Sequence, residues 1–325
     1  MRLLTILDYS LIIVSKMKFA LRKLLRYLSF SFKYVSMEIL NRLKEIDLET
    51  VSTDEINKVL NQVGALPIMK TEYSDGKLFF RAVRNSDADS DFTTVSRLSF
   101  CPPEYNKNLL RASTPDNTMF YGSVVKDNPT DEEYNYARIT ACCETSELLR
   151  DNEIPDGERV LTIGTWRVKG KLQVGTIFDP NKKYEIEYLE NIKNAYIDFL
   201  EHFPDLKEKG LAYLAYLANE YSKDVKNGEN YKYKISALFS KIAADKSDGI
   251  LYPSVRAAGI GLCLAIKPDA MENLELVMVH KCLLKKENGV VRITFLKVCE
   301  VEEGAENFEL LDVSEYKRRR EESKK

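Results

Sequence analysis

The stretch from Lys183 to Asp245 constrains this chain most. Three apolar-periodic runs, Tyr184–Phe203, Gly210–Val225 and Tyr231–Ala244, follow one another with helical spacing. Strand-like segments lie on both sides of them. Upstream, Lys77 to Val83 follows the turn signal Ser74-Asp75-Gly76, Met119-Phe120-Tyr121 is a short strand candidate, and Arg159 to Val168 is a longer one. Downstream, strands are expected at 249–252, 261–266, 274–283 and 289–299, the last two separated by the hairpin dipeptide Asn288-Gly289. A helical block set between two groups of strands departs from regular βαβ alternation and predicts an α+β (mixed α/β) core with a helical insertion. Helices are also expected over 37–63, where Ser52-Thr53-Asp54-Glu55 supplies an N-cap, and over 134–149. The expected organisation is an N-terminal extension over 1–36, a short helical segment over 37–69, a main domain over 70–315 and a charged tail over 316–325, frayed or extended as helix.

The chain has 325 residues, 44% hydrophobic and 10% aromatic, enough for one large core or two modest ones and too apolar for a disordered chain. A net charge of −2 gives no general case for nucleic acid as a partner. The charge is uneven: residues 1–36 carry seven basic side chains and one acid, an excess of +6 that leaves −8 for the rest. At about 100° per residue, Lys16, Lys18, Arg22, Lys23, Arg26 and Lys33 fall within roughly 160° of arc, the pattern of a basic interfacial helix. The apolar run from Leu3 to Val14 is too short to span a bilayer and is broken by Asp8. Two readings stand side by side: a helix that touches a membrane surface, or residues upstream of a true start at Met17 or Met37. The six cysteines form no CxxC pair and the two histidines are far apart, which argues against a zinc site or a disulfide framework. Free thiols in apolar runs point to a reducing compartment and a cytoplasmic location.

The chain lacks GxxxxGK[ST], a complete GxGxxG, HExxH and GxSxG. Four other segments hold polar side chains in apolar settings. They are Phe79-Phe80-Arg81-Ala82-Val83-Arg84; Arg111-Ala112-Ser113-Thr114-Pro115 with Met119-Phe120-Tyr121; Ala141-Cys142-Cys143-Glu144; and Asp248-Gly249-Ile250-Leu251-Tyr252-Pro253-Ser254-Val255-Arg256. Taken singly, each has a plain structural reading. Arg81 would point to water from a strand edge, Arg111 and Tyr121 would belong to a loop feeding a strand, Glu144 would be a solvated helix residue, and Ser254 would sit in a turn.

Taken together, the four segments resemble the RES-domain family, named for its arginine, glutamate and serine. Arg111, Pro115 and Tyr121 have the family spacing, Ala141-Cys142-Cys143-Glu144 matches its helix motif, and residues 248–256 match its late motif nearly letter for letter. Arg81 is similar to the family's earlier strand arginine, and the resemblance covers roughly 77–268. Asp116 replaces the family's glycine, Arg111 lacks a preceding glycine, and Gly122 to Glu133 reads as an inserted loop. Arg97, near Pro102, ranks second as the motif arginine because it lacks the tyrosine spacing.

The resemblance implies an ADP-ribosyltransferase-like core that consumes NAD by phosphorolysis, by hydrolysis or by ADP-ribose transfer to a protein. NAD is then a substrate, inorganic phosphate a candidate co-substrate, and no separate cofactor or metal is implied. Breaking the nicotinamide–ribose bond builds positive charge on the ribose, which a carboxylate stabilises, as in glycosidases. Glu144 takes that role. Arg81 and Arg111 would bind pyrophosphate or phosphate through bidentate donors. Tyr121 would pack on the nicotinamide or ribose. Ser254, too weak an acid to attack unaided, would hydrogen-bond a phosphate or ribose oxygen. The family also implies a toxin neutralised by a separately encoded antitoxin. The alternative is a catalytically weak RES-like binding module.

Overall fold

The structure is a computed structural model and describes residues 36–64, 66–86, 90–150, 154, 156–226, 228–255 and 261–323. The basic helix expected within residues 1–36 lies outside them except for Ser36, as does Arg256 of the late motif. In chain order the elements are α1 (Met37–Glu45), α2 (Thr53–Leu60), β1 (Lys70–Ser74), β2 (Leu78–Arg84), β3 (Phe120–Val124), α3 (Asp131–Thr145), α4 (Glu147–Arg150), β4 (Gly157–Val168) and β5 (Lys171–Thr176). Then come α5 (Glu187–Glu201), α6 (Pro204–Ser222), α7 (Lys234–Ala244), β6 (Gly249–Pro253), β7 (Leu262–Ile266), β8 (Leu274–Glu287), β9 (Val290–Glu300), β10 (Leu311–Asp312) and α8 (Val313–Glu322). The class is α+β. The expected strands and the helical block are present, and the charged tail begins as α8. Strands β1 and β5 were not anticipated. The expected loop from Gly122 to Glu133 is shorter than its sequence implies: β3 runs to Val124, and Thr130 opens α3 with a capping box to Glu133.

The chain forms two compact units, each assembled from three stretches. The first comprises residues up to Thr71, Asn106–Asn117 and Gln173–Tyr252. It is mainly helical. Ser52 caps α2 as its sequence predicts, accepting from the Glu55 amide at 3.2 Å, and Ile56, Val59 and Leu60 are buried. The helical block buries tyrosines, and a buried phenol must find a partner. Tyr196 donates to the Pro67 carbonyl at 3.1 Å, Tyr213 to Ser36 at 2.7 Å and Tyr216 to Leu43 at 3.2 Å. Each ring therefore contributes apolar area while its hydroxyl ties a helix to a distant backbone segment. Strands β5 and β6 pair in parallel through Val174↔Gly249, Gly175↔Ile250 and Thr176↔Leu251. Asp248, the first residue of the late motif, anchors that pair: its carboxylate accepts from the Gln173 amide at 2.8 Å, and its own amide donates to Gln173 at 2.6 Å.

The second unit comprises Glu72–Tyr105, Thr118–Leu172 and residues from Pro253 onward. Its strands run in the order β7-β3-β2-β4-β8-β9-β10, each antiparallel to its neighbours. The β8–β9 turn follows its sequence signal, with Asn288 at φ 50° and Gly289 at φ 76°. Alternation along β2 decides what each side chain meets. Phe80 and Ala82 pack with Leu161, Ile163 and Cys282 against Ala137, Ala141 and Cys142 of α3. Phe79 and Arg81 therefore face the other way.

Outside that core, Asp91 lies between two ammonium groups, 2.8 Å from Lys281 and 2.6 Å from Lys297, and Lys281 is 3% exposed. Burial raises the Asp91 pKa, but the two lysines outweigh it and hold the group below its ordinary value. A depressed carboxylate pKa contributes stability above its unfolded value near ~4 and loses it as pH falls through the folded value. Asp91→Asn is expected to cost about 2 kcal/mol at pH 7, because it leaves a buried ammonium without its counter-charge. Urea denaturation across a pH series should show the gap between wild type and variant closing in acid.

Candidate active site

Glu144 occupies the last turn of α3, and Ser254 follows the end of β6. The fold brings these residues together across 110 positions of sequence: the Ser254 hydroxyl donates to Glu144 Oε1 at 2.7 Å. Ser254 is 1% exposed and Glu144 is half-buried. A second donor reaches the same oxygen, the Cys263 thiol of β7, at 3.4 Å. A hydroxyl and a thiol on one oxygen restrict the carboxylate to one orientation, which suits a group that must face developing positive charge. Ser254 was expected to hold a substrate oxygen, and here its hydroxyl holds Glu144. No sequence signal links Cys263 to Glu144; its place follows from β7 pairing with β3 through Cys263↔Ser123.

The backbone around Ser254 is tightly set. Its amide donates to the Gly261 carbonyl at 2.8 Å. A Cβ on Gly261 would lie 2.2 Å from Thr140 Oγ1 and 2.7 Å from Thr140 Cγ2, so only glycine lets this backbone approach α3. Gly261→Ala is expected to push α3 away and to weaken the Ser254–Glu144 contact. Thr140→Ala, which removes both close atoms, should restore part of the lost thermal stability in the double variant. Melting temperatures of the two single variants and the double variant check this, and simple additivity would show that the contact does not couple them.

Tyr121 and Ser123 of β3 point to the α3 face, where the Ser123 hydroxyl donates to the Ala137 carbonyl at 2.6 Å. Tyr121 thus shares a sheet face with Cys263 and with the helix that carries Glu144. Arg81 does not. It lies on the opposite face, where Nη1 donates to the Tyr121 carbonyl at 2.9 Å and the guanidinium sits 5.0 Å from the Phe120 ring centroid. Its Nε is buried without a hydrogen-bond partner. Burial lowers its pKa to about 10, and the group remains a cation at neutral pH.

Arg111 belongs to the first unit, whereas Glu144, Ser254, Tyr121 and Arg81 belong to the second. Arg111 is 6% exposed and donates to the carbonyls of Tyr221 and Lys223, the latter at 3.0 Å. Tyr221 lies in the last turn of α6 and Lys223 directly follows the helix, so the guanidinium caps its C-terminal end and complements its dipole. Tyr233 and Tyr252 flank it, with centroids at 5.2 and 6.0 Å. Asp116 accepts from Thr114 Oγ1 at 2.6 Å and pairs with Lys241 of α7. The Lys241 contact, then that of Thr114, holds the Asp116 pKa below its ordinary value.

Among the described residues no three His, Cys, Asp or Glu side chains gather as a metal-ligand group, and no helix is long and apolar enough to cross a membrane. No protein-family model matches this chain, and no curated protein matches it. The Glu144–Ser254 contact therefore carries the functional argument.

Proposed function

We propose that this protein cleaves the nicotinamide–ribose bond of NAD, with Glu144 as the catalytic carboxylate. The observation that carries this reading is the 2.7 Å hydrogen bond from Ser254 to Glu144, which joins two of the four motif segments. In the proposed step the C–N bond breaks and its electron pair leaves with nicotinamide, which departs neutral. The ribose carbon becomes cationic and faces the Glu144 carboxylate. A phosphate oxygen or a water oxygen then bonds to that carbon, and in the water case a proton is released. Ser254 and Cys263 orient Glu144, and Tyr121 packs on the ring or sugar of the substrate. The expected context is a cytoplasmic toxin held inactive by a separate antitoxin protein, in an ADP-ribosyltransferase-like RES core.

Incubating the purified chain with NAD, with and without inorganic phosphate, tests the proposal. ADP-ribose 1″-phosphate marks phosphorolysis, ADP-ribose marks hydrolysis, and label on an added protein marks transfer. Absence of nicotinamide release under all three conditions would remove the proposal. One structural observation favours a second reading, a catalytically weak RES-like binding module. Arg81 and Arg111, the two arginines that would grip the diphosphate, both make internal contacts with backbone carbonyls. NAD binding without turnover would support that reading.

A further inference from the structure

The second unit contains a cleft of about 360 Å³, lined by His280, Phe295, Val298, Tyr316, Lys317 and Arg320, with Glu321 as its lining carboxylate. Its floor is the β8–β9 pair, where His280 lies opposite Val298 and the His280 and Phe295 ring centroids are 4.9 Å apart. One wall is α8. Burial, then the charge of Arg138, lowers the His280 pKa to about 4, so the imidazole is neutral at physiological pH and offers a flat uncharged surface. Phe295 is 37% exposed, which leaves part of its ring accessible.

Lys317 and Arg320 stand beside this aromatic floor with Glu321, and Arg138 approaches Phe295 from α3. Lys317 forms no ion pair among the described residues. Arg320 reaches Glu300 only at 3.8 Å and is 60% exposed. Arg138 of α3 stacks over Phe295 at 5.2 Å and over Tyr134 at 4.5 Å, and its Nε is buried with no hydrogen-bond partner. It too has no carboxylate within ion-pair distance among the described residues. Glu300, the other nearby acid, already accepts from the Tyr316 hydroxyl. Accessible aromatic surface beside the Lys317 ammonium and the exposed Arg320 guanidinium, whose contact with Glu300 is long, matches a ligand that is both planar and anionic. The volume is of ligand size.

We infer that this cleft binds a small organic anion of mononucleotide type, its ring on Phe295 and His280 and its phosphate toward Lys317 and Arg320. This inference is independent of the Glu144 proposal. Arg138 and Cys142 of α3 face β8–β9, whereas Thr140 and Glu144 of the same helix face Gly261 and Cys263 near β7.

Calorimetric titration of the full chain with AMP, adenosine and inorganic phosphate tests the inference at low salt. AMP is expected to bind at one molecule per chain, with adenosine and phosphate each weaker by about tenfold or more. The Lys317→Glu/Arg320→Glu double variant, with an unchanged far-ultraviolet dichroism spectrum, should lose AMP affinity by about tenfold or more. Two results would each overturn the inference: no AMP binding at millimolar concentration, or full affinity in the double variant. Phosphate binding as tightly as AMP would remove the aromatic part of the assignment.

Discussion

Glu144→Gln is expected to lower nicotinamide release from NAD by about 10²–10³-fold with little change in NAD affinity. Glutamine keeps the size of the side chain, and its amide oxygen can still accept from Ser254 and Cys263, so the local packing survives. It lacks the negative charge that would face the ribose cation. The loss should therefore fall on kcat, because the interaction develops only as the C–N bond breaks. Ser254→Ala removes a donor that orients Glu144 at 2.7 Å and should cost less, on the order of tenfold in kcat. Chromatographic assay of nicotinamide with each variant, alongside a binding titration with NAD, separates these outcomes. Full turnover in Glu144→Gln would exclude this carboxylate as the charge stabiliser.

The largest stability effect is expected at Arg111. Arg111→Met keeps much of the side-chain volume, but it strips the C-terminal carbonyls of α6 of two charge-assisted hydrogen bonds. Carbonyls left buried without a donor cost about 1–3 kcal/mol each, so a loss of about 4 kcal/mol is expected. Arg111→Lys should recover only part of it, because one ammonium cannot reproduce the fork that reaches both Tyr221 and Lys223. Chemical denaturation of the full chain measures both. If Arg111 instead served mainly to bind a substrate phosphate, Arg111→Met would leave stability nearly unchanged and impair NAD affinity.

Legibility in the sequence followed the range of each interaction. The Ser52–Glu55 cap and the Asn288-Gly289 turn rest on neighbouring residues, and both were readable from the chain. The strand β1 was not, because Lys-Thr-Glu-Tyr-Ser contains a single large apolar residue. Nor was β5, which is placed in the first unit by parallel pairing with β6 about 75 residues later. The site divided in the same way. Glu144 and Ser254 stood out through local motifs, while their contact depended on tertiary packing. Arg81 was recognisable as a strand arginine, but its sheet face depends on the parity of β2, and a one-residue shift would reverse it. Arg111 was recognisable by its spacing to Pro115 and Tyr121. Its partners lie 110 and 112 residues further on, where no local pattern leads.

The separation of Glu144 from the donors that orient it also sets when such a site can exist during synthesis. Cys263 is 119 residues downstream of Glu144. At ~5–20 residues per second, a ribosome needs roughly 6–24 s to cover that interval. Over the first 110 residues of it, a nascent chain carries the carboxylate without the hydroxyl that holds it, and to its end the chain lacks the thiol and leaves β3 without a complete β7 neighbour. A chain released early would thus carry Glu144 without the donors that orient it, and a binding partner that recognises β7 would meet only chains long enough to have assembled the Glu144 cluster.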